Sequence, residues 1–186
     1  MRWLGGAPGR GPMKRLGGAL GCLLAAASLL AAQNAARPPI GGVAHIAIYA
    51  ADYEKSRAFY REFLGLEEPY SLSNPDGTPS MTFFKINERQ YIELFPETAA
   101  KTDRLSHISL ETSNAEAMRA YLASRGVAVP ARAAKGRIGN SSFNCKDPEG
   151  HTVEIVQYEP DGWTVRERGK HMPETRPGAR STKPTS

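Results

Sequence analysis

Residues 43–66, VAHIAIYAADYEKSRAFYREFLGL, decide how the rest of the chain reads. They predict a short strand, a tight turn and a helix closed by Gly65. The same plan returns over residues 105–127, LSHISLETSNAEAMRAYLASRGV. Each copy carries a histidine in its strand, His45 and His107, 62 positions apart. Downstream of each copy lies a strand with one carboxylate in an apolar run. These are Tyr91-Ile92-Glu93-Leu94-Phe95 and Thr152-Val153-Glu154-Ile155-Val156, and the two glutamates are 61 positions apart. A doubled unit that repeats His and Glu at matched places is the strongest signal in the sequence.

Strand side chains alternate between faces. His45 therefore shares a face with Val43, Ala47 and Tyr49, while Ala44, Ile46 and Ile48 form an apolar face suited to helix packing. Asp52 is an N-cap for the first helix. Ala58, Phe59, Phe63 and Leu64 give that helix an apolar stripe. Asn74-Pro75-Asp76-Gly77 marks a turn before a strand from Met81 to Ile86. Tyr91, Glu93 and Phe95 then share one face of the next strand. In the second copy His107, Ser109 and Glu111 share a face. Ser113 and Glu116 form a capping box, and Gly126 ends the helix. Val127–Val129 is the next strand candidate, followed by a polar loop at 131–140 with Lys135, Arg137 and Asn140. Strands at Ser141–Cys145 and His151–Tyr158 flank the turn Asp147-Pro148-Glu149-Gly150. The order strand, helix, three strands thus appears twice, in modules 42–96 and 104–158. The fold class is α+β, with a curved mixed sheet around a cavity.

The 186 residues suffice for one ordinary domain. The net charge of +5 is uneven. Residues 1–33 hold four bases and no acid, residues 162–186 hold six bases and two acids, and the stretch between carries a net of −3. The basic excess lies at the ends, so a nucleic-acid surface is not indicated. Met13-Lys14-Arg15, an apolar run from Leu16 to Ala32 and a small-residue exit read as a secretory signal peptide over 1–36. A membrane role would then arise only through that segment, if uncleaved. Pro38-Pro39 sits in a linker, 37–41, and 159–186 is a polar tail, its last dozen residues disordered, with Gly162-Trp163-Thr164-Val165 packed on the domain. The expected location is periplasmic or secreted. Once the front is removed, Cys145 is the remaining thiol and no intrachain disulfide can form. It reads as a half-buried strand cysteine.

A glutamate set among Ile, Leu and Val in a strand must reach water or find a partner, because an unpaired buried carboxylate is costly. The bland alternative is solvated glutamates and hydrogen-bonded core histidines. Recurrence of both residue types in both copies favours one shared metal site of His45, Glu93, His107 and Glu154. Two imidazoles and two carboxylates suit a divalent ion such as nickel, cobalt, zinc, manganese or iron. A catalytic metal also needs an open position for water or substrate.

The motifs HIAI…SRAFYREFLGL, YIEL, SHISL and FNCKDPEGHTVEIVQ resemble the vicinal oxygen chelate superfamily over residues 42–158. That group includes glyoxalase I, methylmalonyl-CoA epimerase, extradiol dioxygenases and the bleomycin and fosfomycin resistance proteins. The resemblance implies paired βαβββ modules around a metal cavity, and it places metal-ligand roles on His45, Glu93, His107 and Glu154. His-Glu-His-Glu is most similar to the bacterial type of glyoxalase I. The epimerase usually has glutamine at the place of Glu93, and the dioxygenases use a His-His-Glu triad, here His45, His107 and Glu154. The implied activity is a lyase or isomerase reaction on a small oxygen-chelating substrate through a metal-stabilised enediolate, with Glu154 or Glu93 moving the proton. The alternatives are an extradiol-type dioxygenase, an epimerase, or a binding protein without turnover. A homodimer is compatible with this, and the cavity belongs either to one chain or to two chains that swap halves.

Overall fold

The computed structural model describes residues 36–100 and 103–170. The expected signal peptide, all but Ala36, and the tail beyond Lys170 lie outside the described residues. The first module runs β1 (Ile40–Ala50), α1 (Tyr53–Ala58), β2 (Glu67–Ser73), β3 (Pro79–Lys85) and β4 (Tyr91–Pro96). The second runs β5 (Leu105–Thr112), α2 (Ala115–Ser124), β6 (Ala134–Lys135), β7 (Ser141–Lys146) and β8 (Thr152–Gln157), followed by a one-turn helix α3 (Trp163–Arg166). The two βαβββ modules join into one eight-stranded mixed sheet in the order β2-β3-β4-β1-β5-β8-β7-β6. Each module is the mirror of the other in this order. β1 pairs parallel with β4, β5 pairs parallel with β8, and the modules meet at the antiparallel pair β1–β5.

The core lies beneath the helices, on the convex face of the sheet. Under α1, Ala50, Phe84 and Leu94 are buried against Tyr53, Tyr60 and Leu66. Under α2, Ala115, Met118, Phe143 and Ile155 are buried against Leu110, Tyr121 and Leu122. Asp52 caps α1 as expected, accepting a hydrogen bond from the Lys55 amide at 3.0 Å. The predicted apolar stripe of this helix is wrong. α1 continues as a π-helical turn over Phe59–Phe63, in which the Leu64 amide reaches back to the Phe59 carbonyl. The wider turn rotates the faces. Tyr60 stacks on Phe84 at a centroid distance of 5.1 Å, while Phe63 is 79% exposed.

Two expectations for the second module are also corrected. The cap of α2 is Asn114, whose side chain accepts from the Ala117 amide at 2.8 Å. Glu116 turns instead to Arg119 and the Ala133 amide, so no Ser113–Glu116 box forms. The second strand of this module is the two-residue β6 at Ala134–Lys135, not Val127–Val129. Val127 is held by its bond to the Leu122 carbonyl just past the helix end, and Val129 packs on the α2 core rather than in the sheet.

The segment after β8 belongs to the domain, as the sequence suggests for Gly162–Val165. Lys85, at the end of β3, is 0% exposed. Its ammonium donates to the carbonyls of Glu167 and Lys170 and to Glu88 Oε2. It thereby gives the Lys170 carbonyl a donor and adds a second one to the Glu167 carbonyl, which also accepts from the Lys170 amide at 3.2 Å. Gly162 packs so closely that a Cβ there would lie 2.2 Å from Asn140 Oδ1. The expected effect of Lys85→Met is local. The volume is kept, but the Lys170 carbonyl loses its donor among the described residues, at about 1–3 kcal/mol for an unsatisfied group, and the Glu167 carbonyl keeps only the Lys170 amide. Hydrogen exchange should show faster opening of residues 163–170, with β1 and β5 protected as before. An equal loss of protection across the whole sheet would contradict this.

Candidate metal centre

The site is assembled by strand register. In the β1–β5 pair His45 lies opposite Ser109 and Ala47 opposite His107. In β1–β4 Ala47 lies beside Glu93, and in β5–β8 Ser109 lies beside Glu154. Two small residues, Ala47 and Ser109, both 0% exposed, therefore occupy the centre, and the four larger side chains lean over them. All four sequence-predicted ligands come together, and both modules of one chain supply them.

The distances are short. His45 Nε2 lies 3.0 Å from His107 Nε2. Glu93 Oε2 lies 3.3 Å from each of these nitrogens. Glu154 Oε2 lies 3.2 Å from His45 Nε2 and 3.8 Å from His107 Nε2. His45, His107 and Glu154 each offer a ligand atom, all within 4.8 Å of one another, a group that could hold a metal ion. An ion with metal–ligand bonds of about 2.1 Å has neighbouring donors about 3.0 Å apart in an octahedron and about 3.4 Å apart in a tetrahedron. The donor atoms of His45, His107 and Glu154 stand near that spacing, so these three residues fit a divalent ion, and Glu93 lies at hydrogen-bonding range of both imidazoles.

The charges in this space support one another. Burial works against the charged form of His45, but hydrogen bonds to Glu154 and Glu93 and their charges prevail and raise its pKa to about 9. Burial likewise opposes ionisation of Glu154. The bonds from His45 and Ser109 and the charge of His45 outweigh it and hold the carboxyl at about 2. Glu93 is also pulled below the ordinary carboxylate range, against its burial, by His107 and His45.

Two serines support the second module's donors, and neither role was read from the sequence. Ser109 Oγ donates to Glu154 Oε2 at 2.8 Å. Ser106 Oγ lies 3.1 Å from His107 Nδ1, the ring nitrogen away from the cluster. Such outer contacts orient a ligating imidazole or carboxylate. The repeat offset of 62 places Ala44 and Ala47 at the equivalent positions of the first module, where no hydroxyl exists. The spacing could have found Ser109, which shares a strand face with His107. It could not have found Ser106, which points to the other face in an ideal strand.

A cavity of about 210 Å³ opens above the donors. Its wall is largely aromatic and apolar, with Tyr70, Phe83, Tyr91, Phe95, Val156 and Tyr158 among its residues. Tyr91 is 2% exposed and its hydroxyl has no hydrogen-bond partner among the described residues. Burial pushes its pKa up to about 12, so it stays a donor near neutral pH. Of the loop residues flagged in the sequence, Arg137 and Asn140 line the cavity and Lys135 does not. Asn140 is structural: it donates to Thr164 Oγ1 and accepts from the Glu159 amide. Lys135 is paired with Asp161 at 2.7 Å. Cys145 is half-buried, and its thiol points to the Val153 carbonyl, away from the donors.

Comparison with solved structures agrees with this architecture. Methylmalonyl-CoA epimerase of Streptomyces coelicolor, a variant in complex with 2-nitronate-propionyl-CoA, matches with a TM-score of 0.56 and 22% identity, over 64% of this chain and 98% of that one. The Mycobacterium tuberculosis methylmalonyl-CoA epimerase gives 0.57 and 19%, over 70% and 96%. The B. fuscum extradiol ring-cleaving dioxygenase gives 0.53 and 22%, over 67% of this chain and 34% of that one. None of the curated proteins compared with the sequence matches it. The family model for the Glyoxalase/Bleomycin resistance protein/Dioxygenase superfamily matches residues 42–155, which span both modules and all four donors. The chain belongs to that superfamily.

Proposed function

We propose that the protein is an exported metal-dependent enzyme of the lyase or isomerase type, glyoxalase I-like, acting on a small substrate that presents two adjacent oxygens. The observation that carries this reading is the convergence of His45, His107 and Glu154 at metal-ligand spacing, with the Glu93 carboxylate 3.3 Å from both imidazoles. His45, His107 and Glu154 would hold a divalent ion, with Glu93 as fourth ligand. Such an ion, nickel, cobalt, zinc, manganese or iron, polarises carbonyl oxygens as a Lewis acid. The protein's own groups then divide the remaining work. Glu154 is fixed by Ser109 and suits a permanent ligand. Glu93 has no hydroxyl beside it, lies deep in the cavity and is held anionic, so it suits the base that takes a proton from carbon next to a carbonyl and returns it. Tyr91 offers a buried donor to a substrate oxygen. The aromatic wall excludes water around the exchanging proton.

A second reading rests on the triad His45, His107 and Glu154 alone, whose ligand atoms lie mutually within 4.8 Å. Two histidines and one carboxylate with open positions are the set used in non-haem iron oxygen chemistry. An extradiol-type dioxygenase would need the triad and not Glu93. Glu93→Gln therefore separates the two readings: proton-transfer turnover on methylglyoxal–thiol adducts should fall by about 10²–10⁴-fold, whereas ring cleavage of catechols with iron should persist. A non-catalytic binding protein would show neither activity. The proposed export rests on the signal-like N-terminal sequence alone, and mass determination of the mature protein from the producing cell should place its start near residue 37.

Metal uptake has a defined pH dependence. With His45 raised to about 9, the metal-free site carries an imidazolium near pH 7, and an entering ion must displace that proton. The two glutamates are already anionic there and release nothing. Apparent affinity for zinc or cobalt should rise about tenfold per pH unit toward pH 9 and then level. Calorimetry in buffers of different ionisation enthalpy should detect release of the His45 proton at pH 7. Uptake independent of pH between 6 and 9 would contradict the assignment of His45 as a ligand. Ser109→Ala should weaken the metal by about 10–100-fold without unfolding the protein, measured by competition with a chelator.

A further inference from the structure

Arg137 lies in the loop between β6 and β7, lines the cavity and is itself exposed, which places it at the mouth. Its guanidinium crosses from the second module to the hairpin of the first. Nη1 donates to Ser80 Oγ at 2.9 Å and Nη2 to the Ser73 carbonyl at 2.7 Å. Both acceptors are neutral, and among the described residues no carboxylate pairs with it. Its neighbour Lys135 differs, being neutralised by Asp161. Arginine has five N–H donors in a planar fork, so two bonds orient the group and leave donors and the full charge available. Beyond the Arg137 side chain the wall nearby is apolar, with Met81, Phe83, Ile138 and Val156. The cavity, about 210 Å³, is small beside the roughly 300–1,000 Å³ of ordinary ligand pockets.

We propose that Arg137 selects an anionic substrate: a compact carboxylate with an apolar body, whose adjacent oxygens point inward to the donor cluster and whose carboxylate meets the guanidinium at the mouth. This rests on the metal-centre reading given above. The electrostatics link the two. Without an ion the cluster is net negative and repels an anion. With a divalent ion the two glutamate charges are balanced, and the guanidinium is the uncompensated charge left in the cavity. Anion binding and metal binding therefore reinforce each other, and the coupling is reciprocal.

The test uses cobalt-loaded protein under anaerobic conditions, with the cobalt absorption bands as readout. The probes are 3,4-dihydroxybenzoate and catechol, which share the adjacent oxygens and differ by the carboxylate at the far end. The wild type should bind the carboxylate about tenfold or more tightly than catechol, the scale of a charge-assisted hydrogen bond. Arg137→Met should abolish that preference and leave catechol affinity and cobalt content unchanged, and Arg137→Lys should restore part of it. Equal binding of both probes by the wild type overturns the proposal, as does a response to neither probe. A parallel loss of both probes in Arg137→Met also overturns it, because the side chain would then only brace the loop. Failure of the wild type to take up cobalt is a different result: it defeats the metal centre itself, and this proposal with it.

Discussion

His45 Nε2 and His107 Nε2 approach to 3.0 Å because β1 and β5 pair antiparallel with His45 opposite Ser109 and Ala47 opposite His107. This pairing also fixes the glutamates, since each outer strand keys on the same two central residues, Glu93 on Ala47 and Glu154 on Ser109. A slip of one residue would turn either histidine to the convex face and dismantle the cluster. The centre of the sheet must also be small. Any larger side chain in place of Ala47 or Ser109 would fill the space in which the four donors meet.

Bringing two acids and two imidazoles out of water is costly unless they satisfy one another. The site meets that cost by mutual pairing: His45 bridges both carboxylates, and Ser109 adds a neutral donor to one of them. A set of groups that hold a proton among themselves near neutral pH is also a set that a cation can enter by displacing it. The same geometry thus explains how the metal-free protein tolerates these residues and why it would accept an ion.

The two modules are alike in fold and unlike in support. Ser106 and Ser109 hold His107 and Glu154, and the matching positions Ala44 and Ala47 offer His45 and Glu93 nothing. Duplication supplied two equal halves of the donor set, and these two hydroxyls divide it into a braced half and a freer one. The cavity wall shows a related asymmetry. The segment just beyond α3, after the second module, is anchored to the first by buried Lys85, and Thr164 joins Asn140 and Tyr70 in the cavity lining.

The doubled strand–helix plan and the four donors were legible in the sequence, whereas the position of β2 at Glu67–Ser73, that of β6 at Ala134–Lys135 and the helix α3 were not. Alternation along a strand is local, and a His or Glu that recurs at the same step of two copies must lie on matching faces. The superfamily was legible from the resemblance carried by the motifs HIAI…SRAFYREFLGL, YIEL, SHISL and FNCKDPEGHTVEIVQ. Local pattern misled where backbone geometry departed from the ideal. The π-turn at Phe59–Phe63 moved Tyr60 inward and Phe63 outward, and Asn114 rather than Ser113 took the cap of α2. Other features were invisible because they join residues far apart in the chain. Lys85 carries no local signal of its burial, which comes from the carbonyls of Glu167 and Lys170, more than eighty residues on. Lys135, Arg137 and Asn140 read alike as loop residues, and only the folded chain paired the first with Asp161, buried the third under Gly162 and aimed the second across the cavity mouth. Periodicity along one segment determines which face a side chain takes. What that side chain meets there is decided by the other segments that fold against it.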